Sequence, residues 1–291
     1  MSYKIKVVTP SGRQKTQSIL FDYILMNKYI IDEYIIWVNT KVESDLEWFN
    51  CIASKYDFVK LIFKEDIGKG GESRYISSFF DTTTNDDSIY IRLDDDIVFL
   101  DEYFFRNIID FRIRNPEYFL IFGNIVNNGT CGYLHKICGA LNAKGELKLG
   151  YKDSTLNKSM NDLLTNGVFG EKLHKIFINK FNHNKLKDFQ FTQNVICNKR
   201  FSINCICWFG KDMAKYYIPL HRSWNEEKFL TEVIVDKYKR SNCICGEALC
   251  VHFAFGPQSN HMYNNTNLLE EYEFIRDCMI HTHQTKHELK V

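Results

Sequence analysis

Residues Ile89–Leu100 read IYIRLDDDIVFL. An apolar strand runs into three consecutive carboxylates, and a second apolar run follows. β-Branched and aromatic residues bounded by charge predict a buried strand. Adjacent carboxylates repel one another and are costly to desolvate unless a cation neutralises them. In an open loop such a triplet is a solvated turn; between two buried runs it reads as a ligand site. Side chains alternate along an extended chain, which places Asp94 and Asp96 on one face and turns Asp95 away. Hard carboxylate oxygens suit Mg²⁺ or Mn²⁺, ions that commonly keep substrate phosphates as partners. Ligands of open α/β sheets bind at the carboxyl ends of strands, where this triplet falls.

Upstream, strands and helices alternate. Lys4–Val8 is a short strand that turns at Thr9-Pro10-Ser11-Gly12. Thr16–Lys28 carries Ile19, Leu20, Tyr23, Ile24 and Met26 at helical spacing. Asp32–Asn39 holds the strand IIWV. Ser44 with Glu47 reads as a capping box that opens a second helix, and Phe58–Phe63 is a third strand. A loop, Lys64–Glu72, and a short helix, Arg74–Phe80, lead to the strand Ser88–Leu93. Strands separated by helices make βαβ units, hence an α/β fold with a mainly parallel central sheet flanked by helices. Downstream the pattern is less regular. Helices are expected at Asp101–Arg114, Leu156–Leu164, Glu171–Phe181 and after Ser223, and strands at Phe119–Ile125, Val195–Asn198, Ile203–Trp208 and Leu249–Phe255. No linker separates the halves, so one domain is expected over 1–291: residues 1–100 for a nucleotide-like ligand, residues 101–291 for a second substrate.

Composition narrows the classes. The 291 residues are 45% apolar and 25% charged, which excludes a mainly disordered chain. With 15 Gly and 4 Pro, collagen-like and linker-rich architectures are excluded too. The 37 basic and 36 acidic side chains leave +1, so no broad footprint for nucleic acid is expected. The start, MSYKIKVVTP, lacks the apolar run of a signal peptide. No window approaches the ~18 apolar residues of a membrane span. A cytoplasmic protein is therefore expected, its ten cysteines structural thiols in a reducing compartment. The pairs Cys205/Cys207 and Cys243/Cys245 lack zinc-knuckle spacing, and Cys131, His135 and Cys138 form only a weak metal candidate.

The strand–helix start followed by the acidic D-x-D resembles the GT-A glycosyltransferases, which use nucleotide-sugar donors. The ordered segments RLDDDIVFLD, NPEYFLIFGNIVNN, RFSINCICWFG, EEKFLTE and GEALCVHFAFGPQ extend that resemblance over roughly Lys4 to Gln258. They are similar to glycosyltransferase-like proteins of large algal viruses and fungi, the chlorovirus-type xylosyltransferases of capsid glycans among them. A GT-A fold is thereby implied, as is a location in the host cytoplasm if the chain is viral. The implied reaction is metal-dependent transfer from a UDP-sugar to a glycan acceptor. UDP-xylose comes first as donor, then UDP-glucose or UDP-galactose.

The resemblance also implies residue roles. Asp96 would hold the metal directly, and Asp94 would meet the donor ribose or a water on the metal, with Asp95 between them. His252, in LCVHFAF, would be a further metal ligand, which tilts the choice from Mg²⁺ toward Mn²⁺; by itself a lone strand histidine is more often a satisfied core residue. Thr9 and Arg13 would lie by the uridine. Arg74, after the Gly68–Gly71 segment, would pair with the diphosphate as a bidentate guanidinium can. That segment lacks both P-loop and dinucleotide-binding spacing. In HRSWNEEKFLTE, Ser223 and Glu226 form a capping box, which leaves Glu227 free to act as the general base of an inverting transfer, with Glu226 the alternative. Trp208, Tyr216, Tyr217, His221 and Trp224 are acceptor-side candidates that would suit a core equally well. The basic residues between Lys172 and Lys187 read as a solvated face. Two other classes stay open: a metal-dependent nucleotidyl or phosphoryl transferase, and an inactive nucleotide-sugar-binding module.

Overall fold

The computed structural model describes residues 3–64, 76–141, 165–217 and 225–288. The Gly68–Gly71 segment, Arg74, the expected helix Leu156–Leu164, and His221, Ser223 and Trp224 lie outside them.

Among the described residues nine strands form one sheet: β1 (Lys4–Ser11), β2 (Glu33–Val38), β3 (Val59–Ile62), β4 (Ser88–Leu93), β5 (Ile97–Leu100), β6 (Tyr118–Val126), β7 (Val195–Ile196), β8 (Cys205–Phe209) and β9 (Ser241–His252). Their order is β3-β2-β1-β4-β8-β6-β9-β5, with β7 beside β9. The first half is parallel throughout: β1 pairs β2 and β4, and β2 pairs β3. Strand β8 enters antiparallel between β4 and β6, while β9 runs parallel to β6 and antiparallel to β5. The fold is thus a mixed α/β sheet, parallel in the amino-terminal half and mixed beyond it.

Strand β1 runs three residues past the expected Val8. Pairing with β4 ends at Val8, and the extension through Pro10 lies beside β2 alone. Helix α1 (Gln14–Met26) buries Ile19, Leu20, Tyr23 and Ile24 and packs against β5. Helix α2 begins at Glu43 rather than after Ser44, and no side chain caps it. Asp45 instead accepts hydrogen bonds from Gln14 N–H and Thr40 Oγ1, tying α2 to α1. Helix α3 (Phe104–Arg114) stops before Asn115-Pro116 as expected. Helices α4 (Gly129–Ile137) and Leu268–Glu288 were not anticipated, and β9 begins eight residues earlier than the expected Leu249. The core is continuous from Val7, Ile36 and Trp37 through Ile91, Phe122 and Trp208 to Leu249, all fully buried. Among the described residues no helix is long and apolar enough to cross a membrane.

Candidate functional site

The carboxyl ends of β1 and β4 lie side by side, and the acidic triplet follows β4. It forms a turn, with Ile97 N–H bonded to Asp94 O at 3.1 Å, and is not a continuation of the strand. Strict alternation therefore fails. Asp95 and Asp96 turn together toward Arg13, while Asp94 turns the other way.

Arg13 stands at the start of α1, one residue beyond Gly12. Its Nε donates to Asp95 Oδ1 at 2.9 Å, and its Nη1 donates to Asp96 Oδ2 at 2.9 Å. Gly12 N–H donates to Asp95 Oδ2 at 2.8 Å. A Cβ at Gly12 would sit 3.2 Å from Asn39 O, so this close approach favours glycine. Strand β9 delivers His252 opposite Ile97, and Phe253 N–H bonds Asp96 O at 2.8 Å. His252 Nε2 lies 3.2 Å from Asp96 Oδ2. Burial by itself would raise Asp96, but His252 and Arg13 outweigh it and hold the carboxyl well below its ordinary range. For Asp95 burial wins over Arg13, and the carboxyl is pushed up. The two share one guanidinium and titrate as a pair.

A second arginine organises the other side. Arg92, 4% exposed on β4, donates from Nε to Asp94 Oδ1 at 3.0 Å and from Nη1 to Glu226 Oε1. Asn204 clamps Asp94 twice: its Nδ2 donates to Oδ2 at 2.8 Å, and its carbonyl accepts from Asp94 N–H at 2.8 Å. The Glu226–Lys228 turn is capped by Asn225, whose Oδ1 accepts from Lys228 N–H at 2.9 Å. Glu226 is therefore no capping-box residue but a buried partner of Arg92. Glu227 is hydrogen-bonded to Arg200, its side chain 29% exposed. Burial raises both glutamates, against the pull of Arg92 on Glu226 and of Arg200 on Glu227.

Five carboxylates thus meet three guanidiniums: Asp94, Asp95, Asp96, Glu226 and Glu227 against Arg13, Arg92 and Arg200. Among the described residues the carboxylates of this cluster outnumber its guanidiniums, an arrangement that favours a bound cation. Asp96 Oδ1 and His252 Nδ1 are also buried without hydrogen-bond partners. No group of three His, Cys, Asp or Glu side chains among the described residues is arranged to hold a metal ion. Asp96 and His252 supply two adjacent donors, and Asp94 is engaged elsewhere. The pair could hold a divalent ion if a substrate supplied its remaining ligands.

Other expected residues sit differently. Thr9 is fully buried within β1. Trp208, Tyr216 and Tyr217 are core residues, at 0%, 8% and 1% exposure; Trp208 stacks on Tyr90. The Cys131–His135–Cys138 group does not converge: His135 Nε2 meets Asn124 Oδ1 at 2.6 Å, Cys131 is buried and Cys138 exposed. The ten cysteines are free thiols. Sequence reasoning passed over Arg92, Asn204 and Arg200. The signal for Arg92 was a charge inside an apolar strand, SIYIRL, because a buried charge requires a partner.

No known protein-family profile matches the chain, and no curated protein sequence does. Solved structures align weakly. The 4-diphosphocytidyl-2C-methyl-D-erythritol synthase of Anaerococcus prevotii aligns at 15% identity and a TM-score of 0.29, over 42% of this chain and 55% of that one. Glucosyl-3-phosphoglycerate synthase from Mycobacterium tuberculosis, in complex with Mn²⁺, UDP and phosphoglyceric acid, aligns at 17% and 0.32, over 63% of this chain and 66% of that one. The same enzyme with phosphoglyceric acid alone gives 19% and 0.34, over 64% and 68%. Likenesses at this level do not extend to activity or to residue roles.

Proposed function

We propose that this chain is a metal-dependent inverting glycosyltransferase, a GT-A domain over 1–291. It transfers a sugar from a UDP-sugar, with UDP-xylose favoured, to a glycan hydroxyl in capsid-glycan synthesis in the cytoplasm of a virus-infected host. The observation that carries this reading is Asp96 Oδ1, buried and unpartnered beside His252 at the acidic turn after β4, where carboxylates outnumber guanidiniums.

Asp96 and His252 would hold Mn²⁺ or Mg²⁺, which supplies positive charge to the departing diphosphate. Asp94, held by Arg92 and Asn204, would meet the donor ribose or a water on the metal. Arg13, its side chain 43% exposed, can release the aspartates and turn to phosphate oxygens, and Arg74 is a second phosphate partner in this reading. Glu227 takes the proton from the acceptor hydroxyl. Its partial exposure and raised pKa suit a base, whereas Glu226 is locked on Arg92. Arg92 thereby links the donor-side Asp94 to the acceptor-side Glu226.

Calorimetry with UDP-, GDP- and CMP-sugars, with and without Mn²⁺, tests the class. UDP-sugars should bind only with metal, and Asp96→Asn should abolish that binding while the far-ultraviolet spectrum shows the fold kept. Metal-independent binding, a preference for GDP- or CMP-sugars, or unchanged UDP affinity in the variant would overturn the reading.

A further inference from the structure

The amino-terminal ends of the parallel strands carry a second site. A groove of about 1100 Å³ opens between the start of β1, the α1–β2 connection and the start of α3. The eight residues of β1 separate it from the acidic turn, about 25 Å at the rise of a strand. Its volume reaches the top of the range for small-molecule sites, so it has room for more than one sugar ring.

The lining chemistry restricts the ligand. Three Lys or Arg and four Asp or Glu side chains face the groove, so no field of one sign selects a phosphate, a nucleotide or a nucleic acid. Tyr29 and Tyr103, at 69% and 52% exposure, present aromatic surface on the rim. The negative face of a ring attracts the weakly positive C–H groups of a pyranose. Asn27, Asp101 and Asp110 supply hydrogen-bonding groups among these rings. Tyr23 lies beneath the groove at 1% exposure, and its ring forms part of the floor. The edge strand β5 is buried along its whole length, which leaves no open ladder for an extended peptide.

We infer that this groove binds a neutral oligosaccharide, with pyranose faces on Tyr29 and Tyr103 and hydroxyls on Asn27, Asp101 and Asp110. As a hold on the acceptor glycan, far from the reacting end, it rests on the transferase reading; as a saccharide site it does not.

The test is saturation-transfer NMR and calorimetry on the full chain with xylohexaose, cellohexaose, maltohexaose and chitohexaose, up to about 10 mM, which reaches the weak end of specific binding. At least one should saturate. Tyr103→Ala and Tyr29→Ala, both on exposed side chains, should weaken it about tenfold, with the far-ultraviolet spectrum unchanged. Asp96→Asn should leave it intact. If Asp96→Asn retains sugar binding and wild type shows no metal-dependent donor binding, the saccharide site stands and the transferase reading falls. Failure of all four sugars to bind, indifference to both tyrosines, or loss of sugar binding in Asp96→Asn would overturn the saccharide site. So would a dimer that Tyr103→Ala dissociates in the absence of sugar binding.

Discussion

Two regions of this molecule bury polar groups by opposite means. Around the acidic turn they are ionised: Arg13 on Asp95 and Asp96, Arg92 on Asp94 and Glu226. Beneath β6 and β9 they are neutral. Asn124 donates to Phe189 O and Gly246 O at 2.8 Å each, and Asn242 Oδ1 accepts from Leu120 N–H at 3.1 Å. His174 Nε2 donates to Phe253 O at 2.9 Å, while Tyr272 OH donates to its Nδ1 at 2.7 Å. The neutral groups stand where backbone pairing is irregular, since the β6–β9 register shifts between Phe122 and Asn124. Amide side chains there replace missing ladder bonds and serve the fold. Ion pairs at equal depth gain little stability over apolar packing, because desolvation consumes the attraction. Their placement at the carboxyl ends of β1 and β4 is what the proposed charged ligands would require.

The comparison breaks most readily at Arg92. Arg92→Met strands Asp94 and Glu226 in a buried site and should cost about 3–5 kcal/mol in urea unfolding. Adding Glu226→Gln should recover part of that loss; if the single substitution costs under about 1 kcal/mol, the two regions do not differ as described. Next, Glu227→Gln should lower turnover about 100-fold with donor and metal affinity kept, and the product should carry the anomeric configuration opposite to the donor's. Retained configuration by NMR would remove Glu227 as base.

The neutral region answers to acid. Burial lowers His135 and His174 to about 3, below the unfolded value near 6.5. The unfolded chain therefore takes up protons first. The stability held by these neutral rings is complete above that value and drains as pH falls. The pair should lose about 2 kcal/mol between pH 6.5 and 5.5. A flat denaturation midpoint across that interval would mean the rings are protonated in the fold. Smallest is Tyr272→Phe, which deletes one hydroxyl donor to His174 and should cost about 1 kcal/mol by thermal unfolding.

Much of this was legible in the sequence because contrast marks it. IIWV and SIYIRL are apolar against charged flanks, and the triplet after SIYIRL stood out for that reason. The partners of the triplet were not legible. Arg13 reaches Asp96 across 83 positions, and Arg92 reaches Glu226 across 134. No local periodicity records such pairings. The orientation of Asp95 was misread because alternation holds in strands and the triplet forms a turn. Trp208 read equally well as a ligand surface or as core, and only the insertion of β8 between β4 and β6 decides it.

That insertion also sets an order of assembly. Strands β1 to β4 can pair as soon as residue 93 has left the ribosome. Strand β6, YFLIFGNIV, has neither neighbour until β8 and β9 arrive, the last of them beginning at Ser241. At 5–20 residues per second the wait for β9 is on the order of 10 s. Throughout it a nine-residue run without charge or proline stays unpaired, the composition of a segment prone to self-association. The late strand that completes the sheet thereby makes the nascent chain dependent on shielding while it waits.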